Sequence, residues 1–211
     1  MPNTTLRPPN RAQRVFGFPT CGSRGLRLNV EPLGAQMDIK TPNGRTKLRI
    51  DGELRGADLS GKNLSGVDLG NADLRGTNLS GSNLAGTDFS HADLRDANLK
   101  NSNLEGARFD EANLQGARLT GADLYWASFW RANLAEANLE FASCRGANMT
   151  EANLRGVSLG HANLGLDNTG GSTILNGADL SEASIVGTIF DGVEHDEKTR
   201  FPVGFRINKK R

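Results

Sequence analysis

From Leu54 to Leu164 a bulky apolar residue returns at every fifth position without a miss. The series opens Leu54, Leu59, Leu64, Leu69, and Phe89, Phe109, Phe129, Cys144 and Met149 take the place of leucine further on. Two residues before each of these centres stands something small, usually alanine, as at Ala57, Ala72, Ala92, Ala97, Ala107 and Ala112. The residue just before the centre is mostly Asp or Asn, and glycine stands two residues after about half of the centres. A period of five fits no standard element. Five helical steps of about 100° swing the centre by roughly 140° each time, so no apolar stripe forms. On a flat strand an odd period throws successive centres onto opposite faces. Both objections vanish if the chain turns a corner every five residues. Each repeat is then a short extended side plus a turn, with the centre and the small residue facing inward. Glycine at the corner would supply the positive φ that a type II turn needs, and Asn or Asp beside the centre would bond local backbone groups.

Runs such as ADLRDANLKNSNLEGARF resemble the pentapeptide-repeat family. The resemblance covers residues 52 to about 190, and it implies an all-β fold, a right-handed four-sided parallel β-solenoid with four repeats to a coil. About 27 repeats in about seven coils would make a rod of roughly 30–35 Å at the usual strand spacing. Phe89, Phe109 and Phe129 are then 20 residues apart and stack on one side, with Met149 continuing the column. The segment GLDNTGGSTI breaks the pattern after Leu164, and the frame resumes at Leu175. A single extra residue absorbed there, as a bulge, would return Phe190 to the phenylalanine side. The expected organisation is a basic N-terminal arm over 1–36, a hairpin cap over 37–51 and a solenoid over 52–192 broken at 165–174. A basic capping tail would follow over 193–211. Asn43-Gly44 between alternating apolar residues is the hairpin signal. The closing TRFPVGF resembles that of many cyanobacterial members, with Phe201 and Phe205 placed to plug the last coil, because open solenoid ends expose unpaired backbone.

The residues supply no catalytic chemistry. His91 and His161 fall at corners on different sides, and no two histidines or cysteines stand at ligand spacing. Cys144 sits at a centre, where burial keeps a thiol unreactive. The many Asp and Ser residues follow the repeat grammar. We therefore expect a non-enzyme with no cofactor and no metal. No run is long and apolar enough for a membrane helix, and the cytoplasm is the expected compartment. A virion, if the chain is phage-encoded, and organelle import suggested by the Arg-rich start are the alternatives.

Charge divides the chain. Residues 1–51 hold nine Lys/Arg against three Asp/Glu, residues 52–190 ten against seventeen, and residues 191–211 six against four. On the side that begins with Leu54, Arg55, Arg75 and Arg95 follow the centres, with Arg155 further along, and carboxylates precede them at Glu53, Asp73 and Asp93. That column is either a self-satisfied ion-pair ladder or a partner-binding arginine strip. A second candidate surface is aromatic. Aromatic residues are only 6% of the chain, yet Tyr125, Trp126 and Trp130 fall within six positions, with Phe141 one coil on. Phe129 is a centre and points inward; the other four project outward. Trp126 lies in its column between Gly106 and Gly146, so no neighbour in that column covers it. Bare rings of 150–250 Å² each would exceed what a soluble monomer carries as one patch. A partner or second copy could cover them, or the N-terminal segment through Val15-Phe16-Gly17-Phe18, or the rings could lie flat on the rod.

These features point to a rigid, non-enzymatic protein-interaction scaffold, docked in a larger assembly such as a regulatory complex or a virus particle, or self-associating. The alternative comes from the resemblance: some family members protect DNA gyrase by presenting an acidic rod shaped like a duplex. The net −7 of residues 52–190 is weak beside B-DNA, with one charge per about 1.7 Å. Nucleic-acid binding by the basic tails is not expected to be specific.

Overall fold

In the computed structural model, residues 36–40, 44 and 46–207 are described. Strands β1 (Gln36–Lys40) and β2 (Thr46–Asp51) form an antiparallel hairpin in which Ile39 pairs with Leu48 and Met37 with Ile50. Ile39 is buried and joins the core of the repeats below, so the hairpin closes the first coil. The N-terminal arm, with Val15-Phe16-Gly17-Phe18, and the last residues of the C-terminal tail lie outside the described residues.

The rest is a parallel β-solenoid. Bridges join each residue before a centre to its counterpart 20 positions on, in the series Asp58–Asn78–Asn98, Asn63–Asn83, Asp68–Asp88 and Asp73–Asp93, which gives four sides to a coil. A repeat accounts for each of its backbone N–H groups. In the repeat around Leu79, Leu79 donates to Asn98, the corner Gly81 to Lys100, Ser82 back to Leu79 across the turn, and Asn78 up to Ala57. The fifth N–H, that of Ser80, donates to the side-chain oxygen of Asn78. This last bond recurs at Ser60, Gly70, Arg75, Ser90 and Glu105, and it is the physical reason for Asp or Asn before the centre.

The core is a set of stacked columns buried at the centres and at the small residues. Phe89, Phe109 and Phe129 lie nearly parallel with centroids 4.9 and 4.8 Å apart, the spacing of the coils themselves. Hydroxyls at small positions donate to the carbonyl of the coil before, as Thr77 does to Leu54 and Thr87 to Leu64, so these buried hydroxyls are satisfied.

The corners depart from the glycine expectation. Among the described residues twelve other than glycine, including His91, Asp96, Trp126, Phe141 and His161, hold φ between 54 and 63°. The solenoid imposes that conformation on whatever residue stands there, at a cost of about 1 kcal/mol or more each. Space gives glycine a second role. At Gly146 an added Cβ would run into the Trp126 indole from the coil above, whereas at Gly106 it would meet nothing within 4 Å.

The break also departs from expectation. Ser143 pairs with Asn163, a step of 20, but Asn148 pairs with Ile174 and Asn163 with Ile189, steps of 26. Six extra residues, 167–172, therefore leave the frame as a loop between the corner Leu166 and the small residue Thr173, in place of a one-residue bulge. The register after the loop changes accordingly. Leu175 follows Met149 in the phenylalanine column, and Phe190 falls beneath Leu164 in the Cys144 column. The ladder also runs past residue 192, since Glu194 pairs with Ile174 and Arg200 with Asp179. Phe201 thus takes the centre after Leu180, and its ring and that of Phe205 meet Phe190 at 6.3 and 5.1 Å to close the end.

Candidate interaction surface

The four outward aromatic residues fall into three places. Tyr125 and Trp126 are half-buried with centroids 4.5 Å apart. What covers them is the loop that leaves the frame, an arrangement different from the three the sequence suggested. The Trp126 indole N–H donates to Asp167 Oδ2 at 2.7 Å, the Asn168 N–H reaches the Tyr125 hydroxyl at 3.4 Å, and Arg145 lies over the Tyr125 ring while donating to Asn168. Asp167 also accepts from the Thr169 and Gly171 N–H groups through Oδ1. Burial acts to raise its pKa, but the bonds from Trp126, Thr169 and Gly171 outweigh burial and hold the pKa at about 2. A corner tryptophan and a loop aspartate 41 residues apart are thereby latched.

Trp130 stands around the next corner. The Arg131 guanidinium packs on its ring at 4.4 Å and pairs with Glu151 at 2.6 Å. This corner column reads His91, Glu111, Arg131 and Glu151 in successive coils, with His91 3.7 Å from Glu111. The column is legible at 20-residue spacing but only once the corners are read as a set.

Phe141 is separate from both and 62% exposed. Its ring stacks on His161 at 5.1 Å, and His161 in turn lies over Gly187. Among the described residues the other exposed large apolar side chains are Leu166, Val186, Ile189 and Val203. Val186 adjoins the Gly187 corner, and Ile189 pairs with Asn163 on the side that holds Cys144 and Leu164. Leu166 lies over Gly192 at the next corner. Sequence reasoning missed this band. Ile189 occupies a slot where earlier coils carry Asn, Asp or Ser, but its neighbours are known only when the loop length is.

The arginines are largely spoken for. Arg75 pairs with Asp73 and lies 3.5 Å from Asp93, Arg95 pairs with Asp93, and Arg155 pairs with Glu182. The hydrogen bond from Arg75 holds the Asp73 carboxyl at about 2, and the one from Arg95 lowers that of Asp93. Arg55, Arg75 and Arg95 line a shallow groove of about 340 Å³ with Gly76 and Asp96. Gln115 and Ala135 separate this groove from Arg155. The column is an ion-pair ladder. Cys144 is fully buried and its thiol is pushed up to about 12, chiefly by burial. Among the described residues no group of His, Cys, Asp and Glu is arranged to hold a metal ion, and no helix is long and apolar enough to cross a membrane.

No curated protein matches the chain. Solved structures do, although overall superposition is limited. HetL from the cyanobacterium Nostoc sp. strain PCC 7120, a pentapeptide repeat protein involved in heterocyst differentiation regulation, is 25% identical over 66% of this chain and 87% of its own, with a TM-score of 0.33. Rfr23, a pentapeptide repeat protein from the cyanobacterium Cyanothece 51142, is 34% identical over 52% of this chain and 63% of its own, at 0.30. QnrB1, a plasmid-mediated fluoroquinolone resistance protein, is 24% identical over 70% of this chain and 87% of its own, at 0.34. The family model for pentapeptide repeats matches in overlapping stretches from residue 53 to residue 165, eight copies in all. With the five-residue grammar, the four-sided coil and that match in agreement, the chain belongs to the pentapeptide repeat family, whose fold is the right-handed β-solenoid.

Proposed function

We propose that the chain is a non-enzymatic protein–protein interaction scaffold that works through its outer sides. One observation carries this reading. The core is closed at 0–1% exposure over most centres, yet Phe141, Leu166 and Ile189 stay exposed on one side of the later coils and its corners, with Val186 just across the Gly187 corner. A soluble rod keeps such a band where a protein surface is to cover it. Trp130 adds a half-buried ring on the adjacent side. Cross-linking of the full chain to its partners in cells should place contacts on these two sides. Contacts confined to the N-terminal arm would defeat the reading.

The gyrase alternative is supported by the acidic middle of the chain. It is opposed by the ladder of Arg75 and Arg95 on Asp73 and Asp93, which cancels charge along one side. Inhibition of gyrase supercoiling by micromolar protein would favour it, and no effect would end it. The cytoplasm is the compartment we propose for the scaffold.

A further inference from the structure

We infer that the apolar band is a self-association surface, and that two copies pack antiparallel across it, side against side. The inference rests on the scaffold reading and names its partner as a second copy of this chain. At exposures of 62, 45, 72 and 47% for Phe141, Leu166, Val186 and Ile189, the band shows solvent roughly 400 Å² of apolar surface, within the about 300–600 Å² of the largest and often functional patch on a monomer. An interface about 56–65% apolar and built on that band would bury about 600–700 Å² on each copy, close to the roughly 800 Å² of a standard-size interface.

The register of the side says why the occupant is a second copy. The residues that follow the centres here read Tyr125, Arg145, Gly165 and Asp191 in successive coils, so Arg145 stands one coil before Gly165 and Asp191 one coil after it. The corner column reads Phe141, His161, Gly187 in the same three coils. A two-fold axis lying along the strands over the Gly165 coil reverses the order of coils and keeps the columns. It therefore places Arg145 opposite the partner's Asp191, and Asp191 opposite the partner's Arg145. It also brings the projecting Phe141 ring over the partner's Gly187 corner, which the His161 imidazole of that copy covers, so that ring meets ring. Gly165 faces its own copy, which lets the backbones approach, and Leu166 meets its own copy at the rim. Ring against ring and cation against anion on one surface is the self-complementarity that an isologous dimer requires. Asn168 takes Nη1 of Arg145 and its Nε is shut inside the protein, so Nη2 is the guanidinium donor left for a carboxylate.

Sedimentation of the purified full chain tests this directly. The wild type should run at twice its 22.6 kDa mass at tens of micromolar and shift toward the monomer on dilution. Val186→Glu with Ile189→Glu should run as the monomer while its far-ultraviolet circular dichroism and melting curve stay those of the wild type. Arg145→Glu alone and Asp191→Lys alone should each weaken the dimer about tenfold or more, and the two together should restore it. A wild type that stays monomeric at 200 µM overturns the inference, as does a dimer indifferent to Val186→Glu/Ile189→Glu. So does a double charge exchange no better than either single one. A monomer that still cross-links to another protein through Phe141 and Val186 would sink the dimer and leave the scaffold reading standing.

Discussion

Gly106 and Gly146 stand in the same corner column, with φ of 63 and 70°, yet their surroundings are opposite. An alanine Cβ at Gly106 would meet nothing within 4 Å, while at Gly146 it would press on the Trp126 ring, with Nε1 2.7 Å away, and on Asp167 Oδ2 at 3.3 Å. Gly106→Ala should therefore cost only the left-handed backbone, about 1 kcal/mol, which twelve other corners already bear. Gly146→Ala should cost that and more. The indole must move, and its hydrogen bond to the charged Asp167 carboxylate, worth about 1.5–3 kcal/mol, is strained or lost. The expected total is about 3–4 kcal/mol. Urea denaturation followed by circular dichroism would measure both. Trp126→Ala removes the obstacle, so Gly146→Ala made in that background should fall back to the cost of Gly106→Ala. Equal costs for the two glycines in the wild-type background would refute the reasoning, because φ alone would then explain both.

Other consequences are simpler. Phe109→Ala removes the middle ring of the stack at 4.9 and 4.8 Å and should destabilise by about 3–5 kcal/mol in the same urea assay. Trp130→Ser should change stability by little beyond the ordinary surface range of about 0.5 kcal/mol plus its contact with Arg131. Arg75→Gln, at an exposed pair, should cost no more than about 1 kcal/mol, and less in high salt. The Asp167 carboxyl is depressed from 3.8 to about 2, so its contribution is whole above pH 4 and is lost as pH falls through 2. In a Trp130→Phe background, where Trp126 is the remaining tryptophan, fluorescence should report release of the loop over that window, and Asp167→Ala should abolish the transition.

Most of the fold was legible because the five-residue rule acts locally and repeats. A leucine every fifth position needs no knowledge of distant partners to place it inward, and the stacked phenylalanines follow from a 20-residue coil alone. The rule failed where a choice depended on something outside the repeat. At 165–174 the sequence offered two parsings of the eleven-residue step from Leu164 to Leu175: two repeats and a bulge, or one repeat and a six-residue loop. The first keeps the coil regular, but it leaves the Trp126 N–H and the Asp167 carboxylate without each other. The second satisfies both, and Asp167 also gathers the N–H groups of Thr169 and Gly171. Tertiary hydrogen bonding decided the parsing, and no local signal carries it.

That decision also determined the candidate surface. Under the bulge parsing Phe190 would join the phenylalanine column, and every residue after the break would move to another side of the rod. With the six-residue loop, Phe190 drops beneath Leu164 and Ile189 comes to pair with Asn163. Val186 arrives beside the corner where His161 and Phe141 stack. One loop thus does two things: it covers the tryptophan that the sequence marked as bare, and it sets the register that gathers four scattered apolar residues into a band. Shortening residues 167–172 to a single residue should separate the two effects, because the step from Leu164 to Leu175 then still holds one repeat and Ile174 and Ile189 keep Asn148 and Asn163 as partners. The shortened chain should lose the cover over Trp126 and still dimerise as the wild type does, and a folded but monomeric shortened chain would show that the band alone does not join the copies.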